Sequence, residues 1–131
     1  MMRLSVQSKK KQETIEVTDQ VQEAVFQSGV QNGLVQLFVP HTTAAVTINE
    51  NADPDVVHDL LLAIAELVPE DPAFRHAEGN SAAQLKSSLF GAGELTPLED
   101  GKLVLGTWQG IYFCEFDGPR SRKLLANILS A

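Results

Sequence analysis

Apolar and polar residues alternate with a period of two over residues 3–7 (RLSVQ) and 13–17 (ETIEV), the pattern of strands with one buried face. With Lys9, Lys10 and Lys11 between them, the two segments predict a β-hairpin. After Thr18 the period lengthens, and Val21, Ala24, Val25 and Phe26 share one side of a helix. Gly29 or Gly33 would end that helix, and Asp19 and Glu23 suit its N-terminal half. Two aliphatic, β-branched runs follow, 34–39 (LVQLFV) and 43–48 (TAAVTI), which read as strands joined through Pro40-His41-Thr42.

The strongest helical signal runs from Asp53 to Val68. Asp53 is a good N-cap, Pro54 fits the first position, and Pro69 stops the helix. Val56, Val57, Leu60, Leu61, Ile64 and Leu67 form its apolar side, with Asp55, His58, Asp59 and Glu66 on or near the other. Residues 70–84 are polar and aperiodic, a loop long enough to suggest function. Three further strands are predicted at 102–108, 110–116 and 124–129. The segment 110–116 is apolar at both parities, as in a central strand covered on both faces. Segregated strands with two long helices point to an α+β fold rather than a doubly wound sheet.

Composition sharpens this picture. At 131 residues, 44% hydrophobic and 21% charged, the chain reads as one globular domain spanning 1–131. The longest apolar stretch, Leu60–Ala65, is far below the ~20 residues that span a bilayer. Charge by residue 3 and the lack of an apolar h-region argue against a secretory signal. One cysteine, Cys114, cannot form an internal disulfide or a Cys-based zinc site, and a reducing, cytoplasmic setting follows as the expectation. Its core-like strand makes it a packing thiol rather than a nucleophile.

The net charge of −7 is unevenly spread: residues 12–74 carry eleven acidic groups and no Lys or Arg. No basic face can be built from that stretch, and the lysine trio reads as a solvated turn, so nucleic acid is not an expected partner. Nothing suggests a membrane partner either.

Three polar groupings interrupt the apolar elements. His41-Thr42-Thr43 sits at a strand corner, and Asn49-Glu50-Asn51-Ala52-Asp53 lies between a strand and a helix N-terminus, where free amides and side chains converge. Asp53 has a second reading as a simple cap, whereas Glu50 has no such local job. One strand separates His41 from Glu50, which at ~3.3 Å per residue sets them ~20 Å or more apart within one subunit. His76 and Glu78 are two apart in the 70–84 loop, which suits one shared ion, an imidazole steered by a carboxylate, or an ordinary polar surface loop. Gly106 and Gly110 flank Trp108, a core plug or a ring for a ligand, and Arg120 and Arg122 alternate after a turn, as a phosphate clamp or a solvated pair. His58 reads as a surface histidine.

Taken together, HTTAAVTINENADPDV, HAEGN, LKSSLFG and GKLVLGTWQGIYFCEFDGPR resemble the YjbQ family, also called the secondary thiamine-phosphate synthase family, over nearly the whole chain. The resemblance implies a mixed β-sandwich with two main helices, a homotrimer, and a site at the subunit boundary. It implies coupling of a pyrimidine methyl diphosphate to a thiazole phosphate with release of pyrophosphate. The functional pattern maps onto His41, Asn49, Glu50, Asp53, His76, Glu78 and Arg120. His41, His76, Glu50 and Arg120 would then be catalytic. A divalent metal, Mg²⁺ or Zn²⁺, would draw on His41, His76, Glu78 and Asp53, and Asn49, Gln84, Arg122 and Trp108 would contact a phosphorylated small molecule. Gln84 stands where the family's usual pattern has a third histidine. An amide is a weak metal ligand and exchanges no proton near neutral pH, so a three-histidine metal set or relay does not carry over. A metal-dependent hydrolase using His41, His76 and Glu78, and a non-catalytic binding protein, are the other classes this residue set allows.

Overall fold

In chain order, the computed structural model, which describes residues 1–131, runs β1 (Met2–Gln7), β2 (Glu13–Glu16), α1 (Thr18–Ser28), β3 (Gly33–Phe38), β4 (Ala44–Glu50) and α2 (Pro54–Leu67). It continues α3 (Ser81–Phe90), β5 (Gly93–Glu99), β6 (Lys102–Leu103), β7 (Gln109–Glu115) and β8 (Ser121–Ser130). Five strands form one sheet in the order β1-β8-β3-β5-β6, and three form a second in the order β2-β7-β4. Every pairing is antiparallel. The α+β class holds, with three helices where the sequence predicts two.

β7 shows how the layers arise. Ile111 and Phe113 point into the space between the sheets, where they meet Val35 and Leu37 of β3, Val46 of β4, Leu124 and Ala126 of β8, and Val21 and Val25 of α1. Tyr112 and Cys114, at the other parity, and Phe116 beyond the strand pack under α2 and α3 against Ile64, Val68, Ala82 and Ala83. The strand is covered on both faces, as its unbroken apolar run predicts. Cys114 is fully buried and burial pushes its thiol up to about 12, the state of an inert packing group. The outer face of the five-stranded sheet has no helix over it, and Leu34, Phe38, Leu95 and Leu129 lie exposed there around a bond from Asn127 Nδ2 to Gln36 Oε1. No helix is long and apolar enough to cross a membrane.

Several expectations are corrected. β1 and β2 do not pair as a hairpin: β1 pairs β8 and β2 pairs β7, so the lysine segment crosses from one sheet to the other. The crossing is held by polar contacts that the alternation cannot reveal. Buried Ser8 donates to Glu115 Oε1, and Gly118 N donates to Lys11 O. At Gly118 a Cβ would lie 2.3 Å from Lys10 O, so only glycine allows this approach. The three lysines are exposed, as a solvated turn requires.

α1 ends at Gly29 with φ 72°, but Phe26 is 79% exposed instead of buried. In α2 the cap is as expected, with Asp53 Oδ1 accepting from Asp55 N and Pro54 at the first turn. Only Ile64 of its apolar side is buried, and Leu67 is 71% exposed. The predicted loop stops at Asn80, because α3 begins at Ser81. The predicted strand 102–108 shrinks to Lys102–Leu103, after which the chain turns, with Gln109 N donating to Gly106 O. β5, which the pattern missed, contains Pro97. Its carbonyl accepts from Val104 N, so its missing N–H faces the side where β6 ends and the β3 ladder loses no bond.

Candidate functional site

The candidate residues fall at the two ends of the β4–β7 ribbon. Ala44 pairs with Glu115 at one end and Glu50 with Gln109 at the other. β4 has 7 residues, which at ~3.3 Å per residue separates the ends by ~20 Å.

At the first end, β3 leaves its sheet after Phe38, the partner of Leu125. Continuing that register would set Pro40 opposite Lys123. Instead the ring of His41 takes the place of the lost ladder, and Lys123 N donates to His41 Nε2 at 2.9 Å. His41 and Gln84 line one cavity of about 360 Å³, together with Thr42, Ser87, Ser88 and Gly91. Gln84 is brought there by α3, whose Ser87 Oγ bonds Gln84 O and also, closely, Thr42 O. Burial, then the charge of Arg122, holds the His41 imidazole below its usual range.

Behind His41 lies a buried ion pair. Arg122 is 4% exposed and Glu115 is fully buried. Arg122 Nε donates to Glu115 Oε1 at 2.9 Å, Nη2 donates to Oε2, and Nη2 also reaches Thr43 Oγ1 at 2.8 Å. Ser8 Oγ and Asp117 N donate to the same carboxylate. Burial alone would raise Glu115, but these donors and the guanidinium outweigh it and hold the carboxyl below its usual range. Arg122 therefore does not stand beside Arg120 as an open clamp. Arg120 is half-exposed and bonds Asp117 through Nε and Nη2. Asp117 also accepts from Asn80 Nδ2, which ties the end of the His76 and Glu78 loop to this side of the molecule.

At the second end, Asn49 is exposed and its Oδ1 accepts from Glu50 N, while Tyr112 OH donates to Glu50 O. Trp108 is 62% exposed, no core plug, and its carbonyl accepts from Asn51 N. Asp53 caps α2. His58 is exposed beside Asp59 on α2, as expected.

A metal does not fit the residues of a single chain. No group of three His, Cys, Asp or Glu side chains converges to hold one. The His41 Nε2 lone pair is engaged by Lys123, Asp53 serves its helix, and His76 and Glu78 are exposed on their loop. A larger, more apolar cavity of about 590 Å³ between α1 and the β5–β6 turn, lined by Val25, Phe26 and Leu103, holds none of the candidate residues.

Sequence reasoning placed Thr43 and Glu115 in polar segments without giving either a role, and it missed Ser8 and the backbone N–H of Lys123. The available signal was parity: Glu115 shares the inward side of β7 with Ile111 and Phe113, and Arg122 that of β8 with Leu124 and Ala126.

Residues 2–131 match the family described as UPF0047 protein YjbQ-like. A UPF0047 protein of Methanocaldococcus jannaschii is 44% identical over 129 residues, 98% of this chain and 94% of its own. The Bacillus subtilis UPF0047 protein YugU is 50% identical over 120 residues, 91% of each chain. The crystal structure of a YjbQ/UPF0047 family protein from Clostridium acetobutylicum superposes with a TM-score of 0.95 at 47% identity, covering 98% of this chain and 100% of that one. A structure from Sulfolobus solfataricus, described as a YbjQ-like protein of unknown function, gives a TM-score of 0.94 at 35% identity over 99% and 96% of the two chains.

Proposed function

The chain belongs to the YjbQ-like UPF0047 family, and from that premise we propose that it binds a phosphorylated small molecule and acts as a thiamine-phosphate synthase-like transferase. The observation that carries this reading is the meeting of His41 and Gln84, distant in sequence, in one cavity. In the reaction, the thiazole nitrogen attacks the methylene carbon of a pyrimidine methyl diphosphate. The carbon–oxygen bond breaks and pyrophosphate leaves with the electron pair. Arg120, oriented by Asp117, offers charge to the leaving group, while His41 and Gln84 supply hydrogen-bond donors.

Asn49, Glu50 and Trp108 belong to the same reading only if a second copy brings its far end to the first. A homotrimer would do this, and the bare apolar face of the five-stranded sheet supports self-association. A divalent cation, Mg²⁺ or Zn²⁺, likewise requires a second copy to complete its ligand set. The hydrolase reading has no support from geometry, since His41, His76 and Glu78 form no metal cluster. Binding without turnover is favoured by one observation, the amide of Gln84 in the cavity.

The test is pyrophosphate release from the two precursors with Mg²⁺, using the chain itself, Gln84→His and Arg120→Ala. The expected result is release by the first two and a loss of ~10²-fold or more in Arg120→Ala. Silence from both the native chain and Gln84→His overturns the transferase in favour of binding alone.

A further inference from the structure

His41 is the one candidate whose two ring nitrogens have separate fates. Nε2 accepts a backbone hydrogen bond from Lys123, and Nδ1 has no partner within the chain. A neutral imidazole carries one proton, and the nitrogen that accepts must be the bare one. The proton is therefore on Nδ1. A metal bound at Nδ1 would move the proton to Nε2, where it would face the Lys123 N–H, donor against donor. A metal at Nε2 would displace that N–H and leave it unpaired.

We infer that His41 is a hydrogen-bond donor locked in one tautomer, offering Nδ1–H to an acceptor oxygen of a ligand in the Gln84 cavity, and is not a metal ligand. The lock is built from the neighbouring ion pair. Arg122, one residue before Lys123, is pinned to Glu115 on β7 and to Thr43, two residues after His41. That pair fixes the start of β8 and the His41 corner relative to each other, so Arg122 and Glu115 are positioning residues for the imidazole. Gln84 adds an amide, which can donate beside His41 but cannot take its proton. Such a cavity suits a phosphoryl or carbonyl oxygen rather than a cation. The inference goes beyond the transferase reading and stands or falls without any turnover.

Long-range ¹H–¹⁵N correlation on ¹⁵N-histidine-labelled protein tests it. At pH 8 a histidine with an ordinary pKa of ~6.5 is neutral, and the spectrum reports which nitrogen holds the proton. The signals of His41 are those lost in His41→Gln. The expected result is a protonated Nδ1 and a bare Nε2, unchanged by saturating Zn²⁺. An Nε2–H form, or a Zn²⁺-induced shift of either His41 nitrogen, overturns the inference.

The lock is tested in Arg122→Lys, which keeps the charge but loses the two-point grip on Glu115. A folded variant should show mixed His41 tautomers. Thr43→Val, which removes a single partner of Arg122, answers the same question if Arg122→Lys fails to fold. An unaltered, single Nδ1–H form in the folded variant overturns the positioning role of Arg122.

Discussion

The two ends of the β4–β7 ribbon are built on opposite principles. At the His41 end, charge is buried: Glu115 and Arg122 lie between the sheets, and Ser8, Thr43 and Asp117 N complete their hydrogen bonds. At the Glu50 end, charge and aromatic surface lie largely in solvent: Trp108 is 62% exposed and the carboxylate of Glu16 pairs with Asn51 at the surface. Buried charge is costly unless every partner is present, so the first end tolerates little movement. The exposed end pays no such desolvation and can adapt to whatever approaches it. Within one chain, the difference separates a buried, fully hydrogen-bonded ion pair from an open surface of polar and aromatic side chains.

The largest expected effect breaks the first end. Glu115→Leu leaves the Arg122 guanidinium buried without its counter-charge and should cost ~3–5 kcal/mol, read as a fall in the urea midpoint. The double variant Glu115→Leu/Arg122→Met should recover most of this loss, because the pair is removed together. Glu16→Gln at the other end should stay within ~0.5 kcal/mol. Equal losses at both ends would dissolve the contrast.

Acid should discriminate the ends more gently. Glu115 is held below its usual range in the folded chain, so its contribution is complete above the unfolded carboxylate pKa and is lost as pH falls through the lower, folded value. His41 is also held low, so its contribution is complete above the usual histidine value of ~6.5 and declines as pH falls from there towards its folded value. Thermal melts should therefore show falling stability first below neutrality and again below the ordinary carboxylate range. In Glu115→Leu/Arg122→Met the second decline should shrink, and in His41→Gln the first should shrink.

The contrast also explains what was legible in the sequence. α2 announces itself because Asp53 and Pro54 mark its start chemically. α3 does not, because the residues it buries are Ala82, Ala83 and Ser87, while Leu85 and Leu89 stay exposed. A helix that packs closely on β4 through small side chains lacks the large apolar period on which such reading depends. β5 is hidden by Pro97, which ordinarily argues against a strand. At the site, His41 and Trp108 could be picked out singly, because each is an unusual residue beside an apolar run, whereas Gln84 stands out only against the family pattern the chain resembles. The burial of Arg122 could not, since arginine after a turn is normally solvated and its partner Glu115 comes from another strand. Pairings between strands decide that outcome, and period-two alternation within one strand does not contain them.

A smaller effect than that at Glu115 tests the exposed end. An aromatic ring of this kind stabilises a fold in proportion to the area it buries, up to ~150–250 Å² when fully covered. Trp108 leaves most of its surface uncovered, so Trp108→Ala should cost an isolated chain no more than ~2 kcal/mol, below the loss expected at Glu115. If a second copy covers the ring, as the proposed homotrimer requires, the result depends on concentration. Association raises the melting temperature of the assembled form by mass action, so the native chain should gain stability as protein concentration rises and the variant should gain less. Melts across a hundredfold range of protein concentration read this directly. Parallel, flat curves for both proteins would mean that Trp108 meets no second copy, and the far end of the ribbon would then have to recognise its ligand alone.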